Sequence, residues 1–110
     1  MGRKFLGEFE QILLLAMARV GDEAYAVSIH DEILQTTGRS VSIPAVYVTL
    51  SRLEKKEFVT SRMGEPSPTR GGRAKRYFSL EPAGTYALDR SRAALDSMWE
   101  GLELDTDGRA

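Results

Sequence analysis

Along residues 8 to 20 the apolar positions Phe9, Ile12, Leu13, Ala16, Met17 and Val20 recur at helical spacing, and Leu14 and Leu15 widen the stripe until it nearly encircles the segment. A helix that is apolar over so much of its surface belongs at the centre of a fold. Gly21-Asp22 ends it. A second stripe, Ala26, Ile29, Ile33 and Leu34, predicts a helix from 25 to 37, with Gly38 as the permissive residue past its end. The Ser42 hydroxyl is suited to cap free backbone donors and Pro44 is tolerated in a first turn, so a third helix is expected over 43 to 56. Val46, Leu50 and Leu53 are its inward positions, and their spacing outweighs the strand-like run of β-branched residues Val46, Val48 and Thr49.

From Phe58 the period changes to two. Val59, Ser61 and Met63 alternate with Phe58, Thr60 and Arg62, and residues 74 to 80 alternate again, which predicts a hairpin. Its connection, EPSPTRGG, is too long for a tight turn and is expected to project from the body. Pro82 opens a last helix over 82 to 103, in which Leu88, Leu95, Met98 and Leu102 repeat at nearly heptad spacing with Trp99 beside them.

Composition narrows the function. A chain of 110 residues, 42% hydrophobic and 28% charged, has room for one small core and excludes a large multidomain enzyme. The absence of cysteine excludes a disulfide framework and a thiolate nucleophile, so a reducing compartment, the cytoplasm, is expected. The longest strongly apolar run, 12 to 18, is too short to span a bilayer, and no membrane partner is expected. His30 stands without a second ligand at metal-binding spacing, so no metal site and no cofactor is expected. No serine is placed with a histidine and a carboxylate in a nucleophile motif, and Asp31 and Glu32 diverge on their helix, so catalysis is not expected.

The net charge of −1 hides a segregation. Between Arg39 and Arg76 nine basic residues face only three acidic ones, whereas the rest of the chain is acidic. A localised basic surface of this kind suits a phosphate backbone. Three helices, a basic hairpin with a long loop and a final helix make a mainly helical α+β fold: a winged helix-turn-helix over 1–80, a C-terminal dimerisation helix over 81–104 and a disordered tail over 105–110.

Two motifs sharpen this picture. VYVTLSRLEKKEFV (46 to 59), with Tyr47, Leu50, Leu53 and Glu54, followed by GGRAKRYFSLEPAG (71 to 84), with Gly72, Arg73, Tyr77 and a shifted Leu80, resembles the PadR family of bacterial transcriptional regulators. The similarity extends over residues 5 to 104. It implies a homodimeric winged-helix repressor on a partly palindromic double-stranded DNA operator, and a tyrosine, here Tyr47, that fixes the recognition helix against the DNA backbone. Two positions depart from the family pattern, Glu57 where glycine is usual and Glu81 where threonine is usual at the last helix cap. A left-handed Glu57 would cost about 1 kcal/mol relative to glycine, so the helix-to-strand junction is expected to be built differently.

In a winged helix the outward face of the third helix enters the major groove. The outward set is Ser42, Ala45, Val48, Thr49, Arg52, Lys55 and Lys56. Arg52 can donate bidentately to guanine and Thr49 can meet a base or a thymine methyl, whereas the lysines suit phosphates. Arg70, Arg73 and Lys75 on the hairpin are expected to reach the adjacent minor groove or its phosphates, with Gly72 allowing close approach. Leu88, Leu95, Met98, Trp99 and Leu102 form the expected dimer seam. Some members of the family receive flat apolar ligands between paired C-terminal helices, which marks Trp99 and Met98 as candidates to line an effector site. The alternative is a protein–protein interaction module that presents the same basic surface to an acidic partner.

Overall fold

The computed structural model describes residues 5–65 and 74–106. In chain order it contains α1 (Glu8–Val20), a short 3-10 turn (Gly21–Glu23), α2 (Ala26–Thr37), α3 (Ile43–Lys55), the antiparallel strands β1 (Val59–Met63) and β2 (Arg76–Leu80), and α4 (Pro82–Trp99). This is the mainly helical winged-helix arrangement expected from the apolar periodicities.

Each helix begins and ends on an identifiable device. Glu10 of α1 accepts from the Gly7 amide at 2.9 Å, and its charge suits the positive end of the helix dipole. Ser28 Oγ accepts from the Tyr25 amide at 2.9 Å to open α2, which closes on Gly38 at φ 75°. Ser42 Oγ accepts from the Ala45 amide at 3.1 Å, as the sequence predicts for α3.

The end of α3 corrects one expectation. Glu57 adopts φ 66°, so the junction keeps the left-handed residue that glycine would supply. The Phe58 amide donates to Leu53 O at 3.0 Å and the Glu57 amide to Glu54 O at 2.9 Å, the paired bonds of a Schellman closure. Those bonds and the partial burial of Phe58 against the core hold Glu57 in place.

The core lies where α1, α2 and α3 meet, with Leu13, Leu14, Ile29, Ile33, Val46, Leu50 and Leu53 fully buried and Val59 and Phe78 closing it from the hairpin. The register pairs Val59 with Leu80, Ser61 with Phe78 and Arg62 with Tyr77. A third extended segment joins this sheet by one rung, the Phe78 amide donating to Ala24 O at 2.8 Å. A two-stranded hairpin alone is marginal in water, and that rung with the buried Phe78 anchors it to the helices.

The last helix packs its first half on the body. A Cβ on the buried Gly84 would stand 2.4 Å from the Phe58 carbonyl oxygen, so only glycine permits this approach. Buried Ser91 Oγ accepts from the Leu6 amide at 3.1 Å, and Leu88 is half-buried against the core. Leu88 therefore packs partly within its own chain and is partly exposed on this side of the helix. The helix ends at Trp99, short of the predicted 103, because Glu100 turns to ψ 128° and Gly101 takes φ 82°. Leu102 lies beyond the helix, and of the expected tail Asp105 and Thr106 carry no regular structure, residues 107–110 lying outside the described residues. Glu81 occupies the N-cap without a side-chain capping bond. Among the described residues no helix is long and apolar enough to cross a membrane.

Candidate nucleic-acid interface

Helical geometry divides α3 into two faces. Val46, Thr49, Leu50 and Leu53 are buried; Ala45, Val48, Arg52 and Lys55 form an exposed stripe flanked by Tyr47 and Ser51. Thr49 is only 5% exposed, which corrects its place in the outward set. It stands three residues after Val46 and four before Leu53, squarely on the inner stripe. Ser51 is the residue that sequence reasoning passed over, although it follows Tyr47 and Val48 by four and three positions.

The charges on this helix have different fates. Among the described residues neither Arg52 nor Lys55 makes an ion pair, and Glu54 instead accepts from Ser61 Oγ at 2.7 Å. Lys56 turns back to α1, its Nζ donating to Glu10 Oε2 at 3.1 Å. Its ammonium is thus shared with an intramolecular carboxylate while its side chain stays partly exposed. Burial pushes the Glu10 carboxyl up, but the Gly7 amide, the Lys56 ammonium and the Arg52 charge together outweigh it and hold the group below the ordinary carboxylate range.

The hairpin stands beside α3 and is tied to it. Arg76 Nε donates to Ser61 Oγ at 3.1 Å, and the Ser61 hydroxyl in turn donates to Glu54 Oε2 of α3 at 2.7 Å. On the opposite face Arg62 lies 4.8 Å over the Tyr77 ring and Lys75 lies 4.4 Å over the Tyr25 ring. Arg62 and Arg76 complete the basic surface beside Lys75; sequence reading counted them in the basic block without naming them as contacts. The candidates Arg70, Gly72 and Arg73 lie outside the described residues. Arg39 pairs with Glu8 at 3.2 Å, and His30 Nδ1 lies 3.0 Å from Asp31 Oδ1.

The family of transcriptional regulators described as PadR-like matches residues 13–90, which include every described element except the start of α1, residues 8–12, and the second half of α4. The chain belongs to the PadR-like family. As a PadR-like protein it is a winged-helix transcriptional regulator, not an enzyme. Solved structures share the fold. A PadR-like transcription factor from Bacteroides fragilis superposes with a TM-score of 0.70 at 24% identity, over 84% of each chain. F93 from STIV, a winged-helix DNA-binding protein, gives 0.68 at 14% identity over 91% of this chain and 100% of its own. BpsR of Bordetella bronchiseptica, whose DNA binding is regulated by 6-hydroxynicotinic acid, gives 0.60 at 15% identity over 94% of this chain and 72% of its own. No curated protein sequence matches the chain significantly.

A second surface belongs to α4. Leu95, Met98 and Trp99 are exposed, and Leu15 of α1, Leu88, Leu95 and Trp99 line an open groove between α1 and α4 with Gln11, Asp89 and Arg92 at its polar margin. Trp99 and Leu95 thus share one groove, whereas Met98, 74% exposed, points elsewhere on the helix.

Proposed function

We propose that this PadR-like regulator is a homodimeric repressor that binds a partly palindromic operator in double-stranded DNA. Residues 1–80 form the DNA-reading unit and 81–104 the dimerising segment. Each protomer lays α3 in the major groove, with Arg52 donating to a base, Tyr47 and Lys55 meeting the backbone, and the hairpin cations following the adjacent phosphates. The observation that carries this reading is the stripe Ala45, Val48, Arg52 and Lys55, exposed and, among the described residues, without ion pairs beside the cationic hairpin.

The apolar face of α4 supports the dimer, since Leu95, Met98 and Trp99 otherwise stand in water. The groove that Trp99 shares with Leu15 and Leu95 supports release by a small flat apolar or aromatic effector, because an indole stacks on such a ligand. The heteroaromatic acid that regulates the Bordetella protein is the chemical precedent.

The test is a footprint on DNA selected by the protein from a random pool. Two protected half-sites separated by about one helical turn are expected. The logarithm of affinity should fall against that of salt with a slope of about −5 to −7, from roughly six to eight phosphate contacts per dimer. No protection and a slope near zero would reject the reading in favour of an acidic protein partner.

A further inference from the structure

The hairpin is fastened to the helices on two faces by different chemistry. Facing α3, the Glu54–Ser61–Arg76 relay holds it by hydrogen bonds. On the other face Arg62 and Tyr77 are direct cross-strand partners, and Lys75 continues the same side beyond them, its carbonyl accepting from the Gly64 amide at 2.7 Å. The Tyr77 ring meets the Tyr25 ring edge-on, with centroids 5.7 Å apart and planes at 76°. Lys75 Nζ lies over the Tyr25 ring at 4.4 Å and within 3.4 Å of its hydroxyl. Arg62 covers the Tyr77 ring at 4.8 Å and also donates to Asp22 O at 3.2 Å. The row therefore runs Lys75, Tyr25, Tyr77, Arg62, a cation at either end of an aromatic pair.

Tyr25 is the pivot of this row. It is the N-cap of α2, the helix that packs against α3, so its ring is carried on an element docked against the recognition helix. Both cations remain solvent-exposed, and an ammonium resting on a ring face keeps donors for a second partner. A long cationic side chain ordinarily loses rotamer freedom when it grips a phosphate. Here much of that freedom is already spent in the unbound protein.

We infer that Tyr25 is a positioning residue for DNA binding, its ring holding the Lys75 ammonium, and through Tyr77 the Arg62 guanidinium, in the orientation in which the hairpin meets phosphate. The inference rests on the DNA-binding reading above. Tyr25 has no contact of its own with DNA in this scheme; it acts through the cations.

The test is a double-mutant cycle on the full chain, read as affinity for a mixed-sequence duplex at one fixed low salt concentration, with folding checked by thermal melts. Tyr25→Phe keeps the ring but loses the hydroxyl that accepts from Lys75 Nζ, so its affinity should fall between those of the wild type and Tyr25→Leu. Tyr25→Leu should bind about two- to fivefold more weakly, the equivalent of an exposed cation–π contact. In a Lys75→Gln background, Tyr25→Leu should cause little further loss, because the group through which it acts is gone. Undiminished affinity in Tyr25→Leu, or a loss equally large with and without Lys75, would overturn the inference. Should Tyr25→Leu not fold, Tyr25→Met is judged by the same criteria. A wild type that binds no duplex would instead remove the DNA-binding reading itself.

Discussion

Glu10 in the first turn of α1 and Lys56 at the end of α3 meet at 3.1 Å, across 46 residues of sequence. The same carboxylate receives the Gly7 amide, so one side chain both starts the central helix and moors the end of the recognition helix to it. Its two oxygens are divided between the two tasks.

Replacing this carboxylate tests the joint. Glu10→Gln should destabilise the protein by up to about 1 kcal/mol at neutral pH, the range of a partly exposed ion pair and a charge at a helix N-terminus, because the glutamine oxygen can still accept from the Gly7 amide. Because the native carboxyl is held below its ordinary range, its contribution is present above the unfolded pKa of about 4.3 and is lost as pH falls through the lower native value. Urea titrations at neutral pH and at about pH 3 should show the gap between wild type and Glu10→Gln closing in acid. A gap that persists would mean that the carboxylate charge contributes nothing.

Base reading and phosphate holding separate on α3. Arg52→Ala should cost about 1–3 kcal/mol against the operator and compress the difference between operator and random DNA. Lys55→Ala should weaken both DNAs by a similar factor and reduce the salt slope by about one unit per lost contact. Equal losses on both DNAs for Arg52→Ala would make it a phosphate clamp, and Thr49, being buried, could not take over base reading.

The dimer seam is best probed without removing α4. Deleting the helix would also strip Leu88 and Ser91 from the body, whereas Leu95 is 54% exposed and lies outside the core. Leu95→Arg should therefore leave the protomer folded by circular dichroism, convert a dimer to a monomer in sedimentation equilibrium and remove any concentration dependence of the thermal midpoint. An intact dimer would place the interface elsewhere.

Glu57 offers a stabilising change. Glycine at φ 66° avoids the crowding that a Cβ suffers there, so Glu57→Gly should raise stability by up to about 1 kcal/mol, measured by urea denaturation. A loss would show that the carboxylate is worth more to the folded state than the strain costs.

Much of this architecture is legible in the chain because each element carries its own local signal. Ser42 before Pro44, the glycines at 21 and 38 and the change of period at Phe58 need no tertiary information. Thr49 was misplaced because its hydroxyl suggests a surface, while the angular position set by Val46 and Leu53 puts it inside. The end of α4 was misread because Leu102 continues the apolar repeat, yet Gly101 at φ 82° breaks the helix before it. The row from Lys75 to Arg62 was not legible at all. Its four members come from three separated segments, and only the docking of the hairpin beside α2 brings them together.

The single backbone rung between Ala24 and Phe78 also bears on how the molecule folds. It closes a loop containing α2, α3, β1 and the first residues of β2, and Phe78 belongs to the core in which these elements meet α1. Hairpin and helices are thereby coupled: amide exchange at Phe78 should report a protection free energy close to that of global unfolding, with the wing acting as a late clasp on an otherwise locally assembled bundle.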